Sequence, residues 1–97
     1  MIKNWRQYFS KTILERGRDY FENDMVEITS ADERNIEAEV DGSSSYNVKI
    51  TLNKGEVEDM NCNCPYANDG NNCKHMAAVL FAAEKLAPKQ NKKSDWK

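Results

Sequence analysis

Histidine occurs once in these 97 residues and cysteine three times, and no apolar run comes near the roughly eighteen residues that a bilayer crossing needs. Each shortage excludes a class of protein. The short apolar runs exclude a transmembrane helix, and the opening Met1-Ile2-Lys3-Asn4-Trp5-Arg6 lacks the apolar core of a secretory leader. A single histidine leaves nothing for a Ser-His-Asp set once it is committed elsewhere, and the few glycines form no phosphate-binding loop. Three cysteines leave one unpaired in any disulfide scheme, and Cys62 and Cys64 stand too close in sequence for an unstrained bridge. The Cys-x-x-Cys spacing of a redox dithiol is absent as well. Free thiols without an export signal predict a reducing, intracellular and cytoplasmic setting.

What is present is a soluble-domain composition. Apolar residues at 39% against charged residues at 31% fit a globular fold rather than a disordered tail. A chain of this length makes one domain with a modest core, so a metal staple would contribute a large share of its stability.

All the scarce metal-binding residues fall in one stretch, Cys62-Asn63-Cys64 and Cys73-Lys74-His75, separated by a polar turn. Zinc in a structural site takes four ligands in a tetrahedron, with thiolate and imidazole preferred, and a Cys₃His set leaves no position open. Residues two apart in an extended segment point the same way, so Cys62 and Cys64 can present both sulfurs to one ion. Cys73 and His75 complete the set from across the turn. A closed set has no bound water to activate, which argues against metal-assisted hydrolysis and against an enzyme.

Periodicity places these ligands in an α+β domain. Trp5, Phe9, Ile13, Gly17 and Tyr20 or Phe21 recur at three or four residues, predicting a helix from Ser10, as its cap, to about Asn23, with Trp5 to Phe9 as a lead-in turn. Gly17 inside that helix costs about 1 kcal/mol relative to alanine, which suggests close packing against another backbone. From Met25 the period becomes two. Val26 and Ile28, then Ile36, Ala38 and Val40, then Tyr46, Val48, Ile50 and Leu52 alternate with polar residues, and Val57 and Met60 lead to the first cysteine. Asp32-Glu33-Arg34-Asn35, Asp41-Gly42-Ser43-Ser44-Ser45 and Asn53-Lys54-Gly55 are turns. Short strands on short turns predict an antiparallel meander of three to four strands, with one face apolar and the other acidic. Those acidic residues read as a solvated face rather than a carboxylate active site. Met76, Val79, Leu80, Ala83 and Leu86 make the stripe of a C-terminal helix that covers the sheet and ends before Pro88. The expected organisation is one domain over residues 1–87, helical in 1–24, sheet in 25–61, zinc site and helix in 62–87, with a flexible Lys-rich tail in 88–97.

Cys-x-Cys, a gap, then Cys-x-His running into an apolar helix resembles the SWIM zinc finger, a family found in bacterial Snf2-type ATPases, plant transposase-related proteins and some signalling proteins. Arg16-Gly17-Arg18-Asp19-Tyr20-Phe21, Cys64-Pro65-Tyr66-Ala67 and Cys73-Lys74-His75-Met76-Ala77-Ala78-Val79-Leu80 carry the resemblance, which spans roughly residues 10 to 87. It implies one structural zinc on Cys62, Cys64, Cys73 and His75. It also implies binding to nucleic acid, DNA in the first instance, or to a protein partner such as a Snf2-type ATPase to which the chain is accessory.

Charge divides these two readings. The isoelectric point is about 5.4 and the net charge −2, whereas a dedicated nucleic-acid binder is usually basic. Residues 1–60 hold 8 Lys/Arg against 13 Asp/Glu, but residues 61–97 hold 6 against 3. Arg16, Arg18, Lys74 and Lys85 form a basic strip if the two helices pack side by side; otherwise they are solvated helix faces. Lys74, between two ligands, is also the candidate to offset the net negative zinc cluster. Tyr66 is placed to stack on a base, to insert into a partner, or to cover the zinc.

Overall fold

Ser10 accepts a hydrogen bond from the Ile13 amide through its hydroxyl (3.2 Å), and the first helix, α1, follows it over Lys11–Glu22. Replacing this cap in Ser10→Ala is expected to lower stability by about 1 kcal/mol, read as a shift in the urea midpoint with an unchanged slope. The computed structural model describes residue 2, residues 4–42 and residues 44–91, with side chains through Lys85. Before α1, Trp5–Tyr8 forms a 3₁₀ turn that buries Trp5. The Trp5 ring meets Phe81 edge-on at 4.9 Å, and its Nε1 donates to Glu84 at 3.2 Å.

Four strands follow as an antiparallel meander in the order β1 (Val26–Ala31), β2 (Asn35–Asp41), β3 (Ser45–Asn53) and β4 (Glu56–Cys62). The turns form as their residues dictate. Asp32 accepts from the Arg34 and Asn35 amides, both at 2.8 Å, and these bonds hold its carboxyl below the usual carboxylate range. Lys54 and Gly55 both take positive φ, 55° and 85°, at the two-residue β3–β4 turn, a backbone in which glycine carries no Cβ penalty. Ile36, Ala38, Val40, Val48, Ile50 and Leu52 face inward and are buried. On the outer face Glu27 lies opposite Glu39, and Glu37 opposite Lys49. The outer face is acidic on β1 and β2, as expected, but turns to asparagine at Asn47 and Asn61 on β3 and β4.

Two bulges interrupt the alternation. Pairing jumps from Thr51↔Asp59 to Leu52↔Val57, leaving Glu58 as the extra residue. That bulge is why Val57 and Met60, three apart, both turn inward. A second break between Ile28 and Ser30 turns Ala31, rather than Ser30, toward the core.

The last helix, α3 (Lys74–Asn91), lies between the sheet and α1. The expected stripe of Met76, Val79, Leu80 and Ala83 is buried, but so are Ala77 and Ala78, because α1 covers the side away from the sheet. Leu86 lies outside the described side chains. Each fully buried Val or Leu contributes about 1.5–3 kcal/mol, so this helix carries much of the core. An ideal Cβ on Gly17 would stand 2.6 Å from the Ala77 Cβ and 2.9 Å from the Ala78 nitrogen. The backbones of α1 and α3 are thus in the close approach that Gly17 suggested.

One boundary differs from expectation. The helix does not stop before Pro88 but continues to Asn91, so residues 88–91 are helical rather than tail. Proline fixes φ near −65°, itself a helical value, so the backbone can continue through it although the bond to the carbonyl four residues back is lost and the helix is disfavoured there. The remainder of the expected tail, residues 92–97, lies outside the described residues. No helix among the described residues is long and apolar enough to cross a membrane.

Candidate metal centre

Cys62 is the last residue of β4, and the strand pairing is extended just beyond it. Asn63 donates its amide to the Asn47 carbonyl (3.3 Å) and accepts from the Asn47 amide through Oδ1 (2.9 Å). These two bonds pin the Cys62-Asn63-Cys64 segment to β3. Cys64 then caps a short helix, α2 (Pro65–Asn68), with its sulfur accepting from the Ala67 amide at 3.4 Å. The stretch expected to be a plain polar turn therefore begins with one helical turn. Pro65 is at its first position, where a missing N–H costs nothing. On the other arm, Asn72 donates to the Tyr8 carbonyl (2.9 Å), Cys73 immediately precedes α3, and His75 lies in its first turn.

The four ligand atoms come together as the spacing required. The three sulfurs and the histidine nitrogen all lie within 4.8 Å of one another. The His75 Nδ1 is 3.7 Å from the sulfurs of both Cys62 and Cys73. A tetrahedron with Zn–S near 2.3 Å and Zn–N near 2.0 Å separates sulfur from nitrogen by roughly 3.6 Å, so the donor set fits that ion. Cys64, Cys73 and His75 are buried and Cys62 is half-buried, so the site is largely shielded from water.

The surroundings prepare the thiols and orient the imidazole. Cys73 is held down to about 4, chiefly by a hydrogen bond from the Cys62 thiol, with further support from His75 and the Met76 amide against the opposing effect of burial. Cys62, the donor of that bond and itself partly desolvated, moves the other way. Cys73 also lies at the amide end of α3, where orphan N–H groups favour a thiolate. Tyr46 stacks on the imidazole at 4.3 Å and Tyr20 meets it edge-on at 5.4 Å. The buried His75 Nε2 has no hydrogen-bond partner among the described residues, which leaves Nδ1 as the nitrogen facing the sulfurs. Tyr46 carried no sign of this role in the sequence, where it reads as one more inward strand position.

Residues 46–84 match the SWIM zinc finger family, from Tyr46 through β4, α2 and all four ligands to Glu84. Over those residues the chain is similar to a SWIM zinc finger. No curated protein matches the chain, and no solved structure does. The finger's Cys₃His cluster can hold one zinc ion. Trp5, Gly17 and Tyr20 pack against its helix from outside the matched span, which is shorter than the expected residues 10 to 87.

The cations expected near the SWIM finger separate into two groups. Arg16, Lys74 and Tyr66 line one groove beside the ligands, about 480 Å³ in volume, together with Thr12 and Ile13 of α1. Arg18 instead pairs with Glu22 at 3.0 Å, and the Lys85 Nζ lies 6.0 Å from the centre of the Phe21 ring. The Lys74 Nζ sits over Tyr20 at 5.6 Å, one aromatic ring away from the cluster it was expected to offset. The single basic strip of Arg16, Arg18, Lys74 and Lys85 is not formed.

Proposed function

We propose that this zinc-binding module binds nucleic acid, DNA in the first instance, through the groove beside its metal site. The observation that carries the reading is the composition of the groove wall: Arg16 and Lys74 line it together with Tyr66, and among the described residues no carboxylate does. Zinc with three thiolates and a neutral imidazole bears one net negative charge, and the two cations exceed it. An acidic chain thereby keeps a local surface suited to phosphate, and long-range repulsion is screened within a Debye length of about 10 Å at 0.1 M salt. Zinc supplies no open coordination position in a closed Cys₃His set, so it fixes the surface and performs no reaction. On this reading the chain is not an enzyme and works as an accessory to a larger machine such as a Snf2-type ATPase.

Affinity against salt tests it. Two phosphate contacts give a log–log slope near −1.8 on duplex DNA and near −1.4 on a single strand. Arg16→Glu is expected to weaken binding at low salt by about tenfold and to flatten that slope by about one unit, with zinc content unchanged. Absence of binding to either form at low salt sinks the proposal. In that case a protein-interaction module remains, a reading favoured by the outer sheet face, where Glu27, Glu37 and Glu39 enter no ion pair among the described residues.

A further inference from the structure

We infer that the groove receives an unpaired nucleotide of a single strand, stacked on Tyr66, rather than the uninterrupted face of a duplex. The inference rests on the nucleic-acid reading above and narrows it. Among the described residues Tyr66, 50% exposed, is one of three large apolar residues so placed, with Tyr8 and Met25, and the one that lines the groove containing Arg16 and Lys74. The neighbouring aromatic rings are already engaged: Tyr46 lies flat on His75, and Tyr20 stands edge-on to it. A free aromatic face beside two cations is the arrangement that holds single strands, because every base has a face to stack and a phosphate next to it.

Rigidity supports the same reading. Tyr66 belongs to a helix of one turn whose cap is the zinc ligand Cys64, and the Tyr66 carbonyl accepts from the Asn71 side chain at 3.3 Å. A platform anchored in this way loses little backbone entropy when a base docks on it. The groove is concave, and its volume of about 480 Å³ falls in the range of roughly 300–1,000 Å³ typical of pockets that enclose small ligands. A phosphate-only contact needs neither depth nor an aromatic wall.

Reading a duplex through its major groove takes a protruding helix or a two-stranded ribbon. Here α3 is buried through Leu80, the inner face of α1 lies on it, and α2 is a single turn. A base already free of its partner, by contrast, presents the face that Tyr66 can cover. Thr12 and Arg16, which line the same groove from α1, then supply donors for its edge or its phosphate.

The test measures fluorescence anisotropy of the zinc-loaded full chain with a labelled fifteen-residue oligothymidylate and with a hairpin duplex of equal length. The single strand is expected to bind at least tenfold more tightly. Tyr66→Ala is expected to lower single-strand affinity about tenfold or more, the loss of one base stack, while Tyr66→Phe stays within about threefold and both variants keep one zinc per chain. A duplex bound as tightly as the single strand, or a Tyr66→Ala variant with unchanged single-strand affinity, overturns the inference; a continuing loss in Arg16→Glu then preserves the broader nucleic-acid reading. Failure of both oligonucleotides to bind removes the broader reading and this one together.

Discussion

Stripping zinc from this protein will unfold the segment from Cys62 to Leu86 and, through α3, most of the remaining core. Structural zinc in small domains has an apparent binding free energy of about 10–16 kcal/mol, against a total stability of about 5–15 kcal/mol for a whole domain. The metal therefore decides whether the fold exists. Its ligands draw β4, α2 and the first turn of α3 to one point, and α3 is the element packed against both the sheet and α1. Without the ion, two buried cysteines and a buried histidine lose the cation that would draw them together. Amide spectra recorded before and after complete chelation should lose dispersion for residues 62–86, for Trp5 and for α1, and should recover when zinc is returned. Unchanged amide positions for residues 62–86 in metal-free protein would show that the staple is unnecessary.

The sequence identifies the ligands because the metal imposes a spacing and the chain has no competing donors. It identifies the strands because one buried face enforces alternation. The Glu58 bulge leaves its mark only as the odd interval between Val57 and Met60, since a bulge is fixed by pairing with β3, which no local pattern records. The cations divide for a geometric reason that was available in advance. Arg16 and Arg18 are two residues apart on a helix, about 200° around its axis, so both cannot face the zinc. Which of them does so depends on how α1 is rotated against α3, and Gly17 sets that rotation. Tyr46 against His75 was not legible, because a tyrosine facing a core and a tyrosine facing a metal ligand alternate identically along a strand.

Gly17 should accordingly be a position outside the ligands where a single added methyl group is felt at the metal site. Judged as a local helix residue, Gly17→Ala gains about 1 kcal/mol from helix propensity. The new Cβ, however, stands 2.6 Å from the Ala77 Cβ, 2.9 Å from the Ala78 nitrogen and 3.0 Å from the Lys74 carbonyl oxygen. Two of those three atoms are backbone and cannot swing aside, so the helices must separate. Overpacking of this kind costs about 1–3 kcal/mol and occasionally more, so after the gain in propensity alanine is expected to destabilise by about 1 kcal/mol net and valine by more. The damage should reach the metal. The clashing atoms belong to residues 74, 77 and 78, the turn that carries His75, and displacing it moves Nδ1 away from sulfurs now 3.7 Å distant. We expect zinc affinity, measured by competition with a chelating dye, to fall about tenfold in Gly17→Ala. Adding Ala77→Gly removes the nearest contact while leaving the Ala78 nitrogen in place, so the double variant should recover part of the loss despite the helix cost of a second glycine. A Gly17→Ala protein as stable as the parent, with unaltered zinc affinity, would mean that α1 and α3 are not in backbone contact and that the groove formed by Arg16, Lys74 and Tyr66 is not held in place by Gly17.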